Sequence, residues 1–220
     1  MSMPARFVVF LLVACGVVAS AAVAAAAPSF FGYTGLLLVP SADVLEMSEW
    51  NAAAFTTELT DGQDLLAVGI GLPAGLEAGL LRVDPEGGSA ETLLHAKYRV
   101  QPLLVGGGSL AVGLFDITDE IDSNAYAVFS KRLAPDTIVG TQRLLDPRLH
   151  FGLGSGGQLD GIFAGVSAVA VERITLMAEY DSDNINFGAR LAIAPKIQVH
   201  AGWLGDDSDF AVGLSFNETL

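Results

Sequence analysis

Three histidines are the side chains of this 220-residue chain best suited to proton transfer. His95, His150 and His200 are separated by about fifty positions each. One of them could act as the base for a serine nucleophile, and the three together could bind zinc. However, the sequence contains no Gly-x-Ser-x-Gly elbow, and no two histidines have i, i+2 spacing on a strand. We therefore expect no catalytic residues, no metal site and no cofactor, and interpret the histidines as interior hydrogen-bonding groups.

Charged residues that share the histidines' position in an alternating pattern form a second candidate set. If their segments are strands of a closed barrel, this set faces the lumen. The predicted lumen-lining residues are Glu91, His95, Lys97, Arg99, Arg148, His150, Glu179, Arg190, Lys196 and His200. Cross-strand ion pairs among them would stiffen the interior, whereas in a water-filled bore they would offer hydrogen bonds to a passing saccharide. Both interpretations stay open at this point.

The elements that position these side chains are clearest in the last third of the chain. Four segments alternate polar and apolar residues, namely 174–181, 184–191, 196–203 and 209–216. This period of two predicts antiparallel strands joined by tight turns. One face is continuously apolar, and the other mixes Gly, Ala, Asn and Ser with isolated charges. That pattern favours a transmembrane barrel with its apolar face toward lipid, and a soluble sandwich is the alternative.

Similar segments continue through the rest of the chain, at 31–39, 50–59, 64–72, 75–83, 91–100, 109–115, 125–133, 148–154 and 161–171. Residues 134–147 form either one more strand or a long loop. The total is about thirteen candidates, and bacterial single-chain barrels have even strand numbers. We therefore predict an all-β, antiparallel, up-and-down transmembrane β-barrel of about 12 strands, with 14 as the alternative.

The first 27 residues are predicted to be a signal peptide. Arg6 precedes an apolar run at 7–18, and Ala25-Ala26-Ala27 offers a cleavage site before Pro28. In a competing interpretation, Leu12-Val13-Ala14-Cys15 is a lipoprotein processing site, and Cys15 is the only cysteine. No run of about 20 apolar residues remains after residue 27. We therefore expect an exported chain with its barrel domain at 28–220, located in the cell outer membrane and contacting its lipid.

The charge balance excludes one class of partner. The chain carries 25 acidic against 11 basic residues, for a net charge of −14. No basic patch is available to neutralise phosphates, so nucleic acid is not an expected partner.

Two short motifs resemble a known bacterial family. After the predicted signal, Gly32, Gly35, Leu36, Pro40, Ser41 and Ala42 fit a Gly-x-x-Gly-Leu-x-x-x-Pro-[Ser/Thr]-Ala pattern. Further along, the chain carries a Glu-Tyr-Asp segment before an Asn-x-Gly-x-Arg strand, formed by Glu179, Tyr180, Asp181, Asn186, Gly188 and Arg190. Together they resemble the YjbH-like family of exopolysaccharide-biosynthesis proteins, of which this chain would be a compact, single-barrel version.

That resemblance implies a function in biosynthesis or export of an extracellular polysaccharide. The barrel would be a non-catalytic conduit or docking platform, with the exopolysaccharide and periplasmic export proteins as partners. The alternative is a general porin or structural outer-membrane barrel.

Overall fold

The computed structural model describes residues 26–59, 62–104, 107–133, 137–139, 142–170, 173–205 and 209–220. Within these residues, thirteen β-strands follow one another in a single antiparallel sheet. The strands are β1 (Glu49–Thr57), β2 (Gln63–Leu72), β3 (Leu76–Pro85), β4 (Glu91–Leu104), β5 (Gly108–Phe115), β6 (Asn124–Arg132), β7 (Thr137–Val139), β8 (Gln142–Ser155), β9 (Gly161–Ala170), β10 (Ile174–Tyr180), β11 (Ile185–Ala194), β12 (Ile197–Leu204) and β13 (Asp209–Thr219).

The sheet closes on itself through two pairings. β1 pairs with both β2 and β13, and β6 pairs directly with β8. The three-residue β7 pairs with the start of β8 and lies outside this circuit. Twelve strands therefore complete the barrel, and the prediction of a 12-stranded antiparallel barrel is confirmed. The undecided span 134–147 contains β7 and the first residues of β8, apart from the positions outside the described residues.

The prediction of a first strand at 31–39 is wrong, because the first strand of the barrel begins at Glu49. Residues 26–45, which we call the plug, lie inside the barrel and contain only the isolated bridges Pro28↔Thr34 and Gly35↔Pro40. A closed barrel has no free sheet edge to which this segment could add. Its apolar side chains are instead buried in the bore, where they satisfy the same preference that made the segment resemble a buried strand.

A barrel of twelve strands has room for such a filling. With strands about 4.8 Å apart and tilted by about 40°, the backbone lies about 12 Å from the barrel axis. Eight strands give an interior that wall side chains alone can fill, and 16 to 18 leave a channel. In this intermediate cylinder the plug occupies the centre, where Phe30, Tyr33, Leu37 and Val39 are each no more than 2% exposed.

The outer face is apolar, as the alternation predicts. Large apolar side chains on consecutive outward positions are exposed, for example Leu149, Phe151 and Leu153 on β8. The outward set continues around the barrel with Leu66, Val68, Ile70, Leu80, Val112, Leu114, Ile162, Val166, Leu176, Ile185, Phe187 and Leu191.

Aromatic pairs mark both ends of this apolar face. We call the end where β1 begins and β13 ends the near end, and the opposite end the far end. Trp50 packs against Phe216 toward the near end, with ring centroids 5.5 Å apart, and Trp203 packs against Phe210 at the far end, at 5.6 Å. Trp50 is level with Glu218, and Trp203 with Phe210. The eight-residue offset corresponds to about 26 Å along the strand, or about 20 Å along the axis. Paired aromatic girdles around an apolar band of similar height are typical of transmembrane barrels.

Residues 1–25, which include most of the predicted signal peptide and Cys15, lie outside the described residues. Among the residues that are described, none forms a helix with the length and hydropathy needed to cross a bilayer.

Candidate functional site

The plug is a compact body with its own hydrogen bonds. Its main chain folds back twice, with Phe30 N donating to Leu37 O at 2.8 Å, Ser29 N to Tyr33 O at 2.8 Å, and Leu36 N to Val39 O at 2.8 Å. Gly32 takes a positive φ of 87° in this fold, a conformation that favours glycine. The remaining amides and carbonyls of the plug are then available to the barrel wall.

Glu179 on β10 binds three successive plug amides. Its carboxylate accepts hydrogen bonds from Leu37 N at 3.0 Å, Leu38 N at 2.7 Å and Val39 N at 3.3 Å. Asn186 on the neighbouring β11 donates to the same carboxylate at 3.2 Å. Hydrogen bonds to a charged acceptor are stronger than neutral ones, and here a buried carboxylate is compensated almost entirely by main-chain donors.

Glu77 and Lys97 bind a second part of the plug from strands in the first half of the barrel, whereas Glu179 lies in the second half. Glu77 on β3 accepts from Thr34 N and Leu45 N, both at 2.9 Å. Lys97 on β4 donates to Thr34 O at 2.7 Å and to Ser41 O at 3.4 Å. The two wall residues also form a buried ion pair at 3.6 Å, so each charge has a partner on the wall as well as in the plug.

Arg190 on β11 binds plug carbonyls. Its Nη2 donates to Pro28 O at 3.2 Å, to Gly35 O at 2.6 Å and to Leu36 O. Its Nε lies 3.2 Å from His200 Nδ1, and His200 Nε2 lies 2.8 Å from Ser215 Oγ. Arg190 and Glu179 therefore recognise opposite polarities of the same plug backbone.

His150 belongs to a similar network of hydrogen-bonded side chains, which lies toward the near end of the bore. Its Nδ1 lies 2.8 Å from Ser130 Oγ, which also accepts from Ala42 N at 2.8 Å, and its Nε2 lies 3.2 Å from Ser167 Oγ. Beside it, Arg148 donates to Asp43 of the plug at 2.7 Å. A cavity of about 90 Å³ separates this wall from the plug, large enough for a few water molecules.

The far half of the bore is mostly apolar, apart from Thr57, Asn124 and Asn186 toward the far ends of their strands. Phe30 packs edge-on against Phe55, with ring centroids 4.9 Å apart, and Tyr33 lies 5.7 Å from Phe115 and 5.8 Å from Tyr126. The bulky inward wall residues of this half are Phe55, Leu65, Leu81, Leu93, Phe115, Tyr126, Phe163 and Leu204. The bore thus has a polar near half and a mostly apolar far half, and the plug contacts both.

Small wall residues give the plug room to approach. A Cβ at Gly165 would lie 2.6 Å from Leu36 Cδ2, and a Cβ at Gly188 would lie 2.6 Å from Leu37 Cδ2. The leucines therefore occupy the volume that larger wall residues would fill.

The structure brings most of the predicted lumen-lining residues against the plug. His95, Lys97, His150, Glu179, Arg190 and His200 are all buried on the inner face. His95 packs edge-on against Tyr33 at 6.0 Å. Arg148 and Arg99 lie toward the near end, where Arg148 pairs with Asp43 and Arg99 pairs with Glu46.

Two predicted members of this set lie at the ends of strands. Glu91 is the first residue of β4, at the far end, and is half-buried. Lys196 does not line the lumen, because it lies in the turn between β11 and β12. Its half-exposed side chain pairs there with Glu218. The predicted strand started at Lys196, directly after Ala194-Pro195, whereas β12 begins at Ile197 and residues 195–196 form the turn.

Both motifs that suggested a family meet at this interface. Gly32, Gly35, Leu36, Pro40, Ser41 and Ala42 all lie in the plug, while Glu179, Gly188 and Arg190 contact it from the wall. Asn186 does so indirectly, by donating to Glu179. Tyr180 faces outward and Asp181 caps the next turn by accepting from Asn184 N. Sequence reasoning missed Glu77 and Ser130. Their inward position in the alternation was visible, but nothing in the sequence indicated that a plug would face them.

Within the described ranges, no cluster of three or more His, Cys, Asp or Glu side chains is arranged to hold a metal ion.

Comparison with known proteins relates this architecture to porins. No family model matches the chain, and no curated protein matches it. Among solved structures, the KdgM porin in complex with disordered oligogalacturonate is similar over 76% of this chain and 98% of that chain, with a TM-score of 0.51 and 12% identity. A mutant of the Rh. blastica porin aligns over 72% of this chain and 56% of that one, at 16% identity and a TM-score of 0.35, too low to carry an argument. At this identity the KdgM similarity establishes the fold alone: the chain is a closed, 12-stranded antiparallel barrel with the architecture of the KdgM porin.

Proposed function

We propose that this chain is a non-catalytic, porin-like barrel of the outer membrane whose bore is kept closed to free ion flow by residues 26–45. The observation that carries the proposal is the separation of the two barrel faces. Exposed apolar side chains cover the outside, with an aromatic pair at each end of the β1–β13–β12 side, and charged and amide side chains line much of the inside. A soluble protein has no reason to expose so large an apolar surface, whereas hydrocarbon is its natural environment.

The depth of Trp203 tests the membrane assignment. This side chain is 55% exposed on the outer face, so its fluorescence should be quenched by phospholipids brominated on their acyl chains. The full chain, refolded into such vesicles, is compared with Trp203→Phe to assign the signal, since Trp50 is the only other tryptophan. Strong quenching of Trp203 is expected. Fluorescence equal to that in non-brominated vesicles, in a chain shown by circular dichroism to be folded, would contradict a membrane location.

Planar-bilayer recording tests the closed state. A general porin with an open bore passes a large, ungated ion current, whereas this barrel should remain closed most of the time because the plug fills its centre. A large, constant conductance from the intact chain would contradict the proposal.

A second candidate function is assistance in exopolysaccharide biosynthesis or export, with the polysaccharide and periplasmic export proteins as partners. It is supported by the resemblance of the two motifs to the YjbH-like family. It is also supported by the fold shared with a porin solved in complex with disordered oligogalacturonate. Deletion of the gene, followed by measurement of secreted polysaccharide, tests it. A reduced yield restored by the intact gene is expected, and unchanged secretion would exclude this function.

A further inference from the structure

The connection between plug and barrel is a short linker at one end of the bore. Residues 46–48 lead from the plug to β1 at the near end. Ser48, which has a positive φ of 72°, is fixed to the barrel on both sides. Its amide donates to Gly71 O at 3.2 Å, and its carbonyl accepts from Leu220 N at 2.9 Å. A Cβ at Gly71 would lie only 1.9 Å from Glu46 O, so the linker lies against the inner face of β2, where the glycine leaves room for it.

The hydrogen bonds that hold the plug are of a kind that water can replace. Glu77, Lys97, Glu179 and Arg190 bind mostly main-chain groups of the plug, together with the hydroxyl of Thr34. Asp43 is the one charged residue of the plug, and it pairs with Arg148 toward the near end. Each also has a wall partner, which is Lys97 for Glu77, Asn186 for Glu179 and His200 for Arg190. A buried charge is costly when its partner is removed. Departure of the plug would leave Glu77 and Lys97 paired with each other. Glu179 and Arg190 would each keep one neutral wall partner, and water would replace the plug backbone.

The aromatic side chains of the plug, in contrast, favour the closed position. Phe30 and Tyr33 pack against Phe55, Phe115 and Tyr126 in the far half, and their exposure to water would be unfavourable. The plug is therefore stable inside the bore, and its exit requires its hydrogen bonds to the wall to be exchanged for hydrogen bonds to water. Because the plug also keeps its internal hydrogen bonds, it can move as one unit.

We propose that residues 26–45 are a gate, which leaves the bore through the near end while Ser48 stays fixed to the barrel, and so opens the bore to polar solutes. This movement breaks the contacts that hold Glu46 to Arg99 and Glu49 in the closed state. This inference rests on the proposed membrane function and adds to it the opening mechanism. Glu179 acts as the latch, because it holds three successive amides of the gate in the middle of the bore.

A reversible disulfide bond between gate and wall provides the sharpest test. Leu36→Cys combined with Gly165→Cys places two thiols where Leu36 Cδ2 now lies 2.6 Å from the position of a Gly165 Cβ. The other close neighbours of that Cβ are Glu179 Cβ at 3.4 Å and Ala178 O at 3.5 Å, so the substitution is accommodated once the leucine is shortened. All variants carry Cys15→Ser, so that the new pair contains the only cysteines.

Single-channel recording of the refolded full chain then compares four states. The parent should show brief openings, the oxidised pair none, and the reduced pair openings again. Glu179→Gln should raise the open fraction by about tenfold or more, since it removes a charged acceptor of several hydrogen bonds. Glu86→Gln, at an exposed residue in the turn between β3 and β4, is the matched control and should behave like the parent.

Two outcomes would overturn the gate. One is equal opening in the oxidised and reduced pair, with disulfide formation verified by mass spectrometry. The other is the absence of openings in every variant, including Glu179→Gln. If Trp203 quenching still reports membrane insertion in those samples, the gate is wrong while the membrane barrel stands. Loss of the Trp203 quenching as well would contradict both the gate and the membrane barrel.

Discussion

The carboxylate of Glu179 on β10 and the amide of Leu38 in the plug lie 2.7 Å apart, although 141 positions separate them in the chain. This contact joins the middle of the barrel wall to the middle of the N-terminal segment. Arg190, on the strand beside Glu179, binds the carbonyl oxygens of the same segment. The interior of this barrel is therefore organised around the backbone of its own first residues.

Replacement of Arg190 by methionine should destabilise the folded barrel by about 2–4 kcal/mol. The change leaves the carbonyls of Pro28, Gly35 and Leu36 without their buried donor, and orphaned buried acceptors are costly. Urea unfolding in phospholipid vesicles measures the effect. Arg132→Met is the control, because Arg132 forms an exposed ion pair with Asp146 that should contribute no more than about 1 kcal/mol. Equal effects for both variants would show that the plug contacts of Arg190 do not stabilise the fold.

An arginine on the outer face should destabilise the barrel in a bilayer, and the loss of stability should increase with the depth of the residue in the hydrocarbon. Val166 and Ile162 both point outward on β9 and are similarly exposed, at 47% and 53%. Val166 lies near the middle of the strand, whereas Ile162 lies next to the far rim. Val166→Arg should therefore cost about 2–4 kcal/mol in a bilayer and Ile162→Arg about 0–1 kcal/mol. Equal costs in vesicles would contradict a hydrocarbon environment for this face.

The edge-on contact between Phe30 and Phe55 should be measurable as a coupling energy. Phe30→Ala should cost about 3–5 kcal/mol because it opens a cavity in the far half of the bore. In a double-mutant cycle with Phe55→Ala, the coupling should be about 0.5–1.5 kcal/mol or more. Phe151→Ala on the outer face serves as the comparison, since lipid can fill the space it leaves. A coupling energy of zero would mean that Phe30 of the plug does not pack against Phe55 of β1.

Asp116 should make the stability of the barrel depend on pH in the acid range. Burial raises the pKa of this carboxyl, but hydrogen bonds from Ile121 N, Glu120 N, Thr118 Oγ1 and Asp122 N together lower it below its ordinary value of 3.8. A lowered pKa in the folded state means that the stabilisation is present above about pH 4 and is lost as the pH falls through the folded value. Asp116→Asn should therefore be less stable than the parent at pH 7, and the difference should shrink near pH 3. A difference that stays constant over this range would show that ionised Asp116 does not organise the loop.

The twelve barrel strands could be predicted from the sequence because alternation is a local property. On β11, for example, Asn186 and Arg190 face inward while Ile185 and Phe187 face outward, as the period of two requires. The plug could not be predicted in the same way. A segment such as 31–39 is apolar at nearly every position, with Thr34 as its exception. Burial on all sides gives the same composition whether the chain is in a sheet or in a bore.

The role of the inward charges was also beyond the sequence. Glu179 and Arg190 could be placed on the inner face, but their partners are main-chain groups, which leave no trace in side-chain identity. Lys196 shows the opposite error, because a charge in a turn followed the alternating phase by coincidence and lies outside the bore.

The hydrogen bond from Leu220 to Ser48 gives the closure of the barrel a second consequence. Pairing of Glu49 with Thr219 joins the first strand to the last, and the same seam immobilises the residue from which the N-terminal segment hangs. Assembly of the cylinder and docking of its contents are thus coupled steps. In a folding intermediate in which β1 and β13 are not yet paired, Ser48 would lack its hydrogen bond from Leu220, and the N-terminal segment would have no fixed attachment point at the barrel.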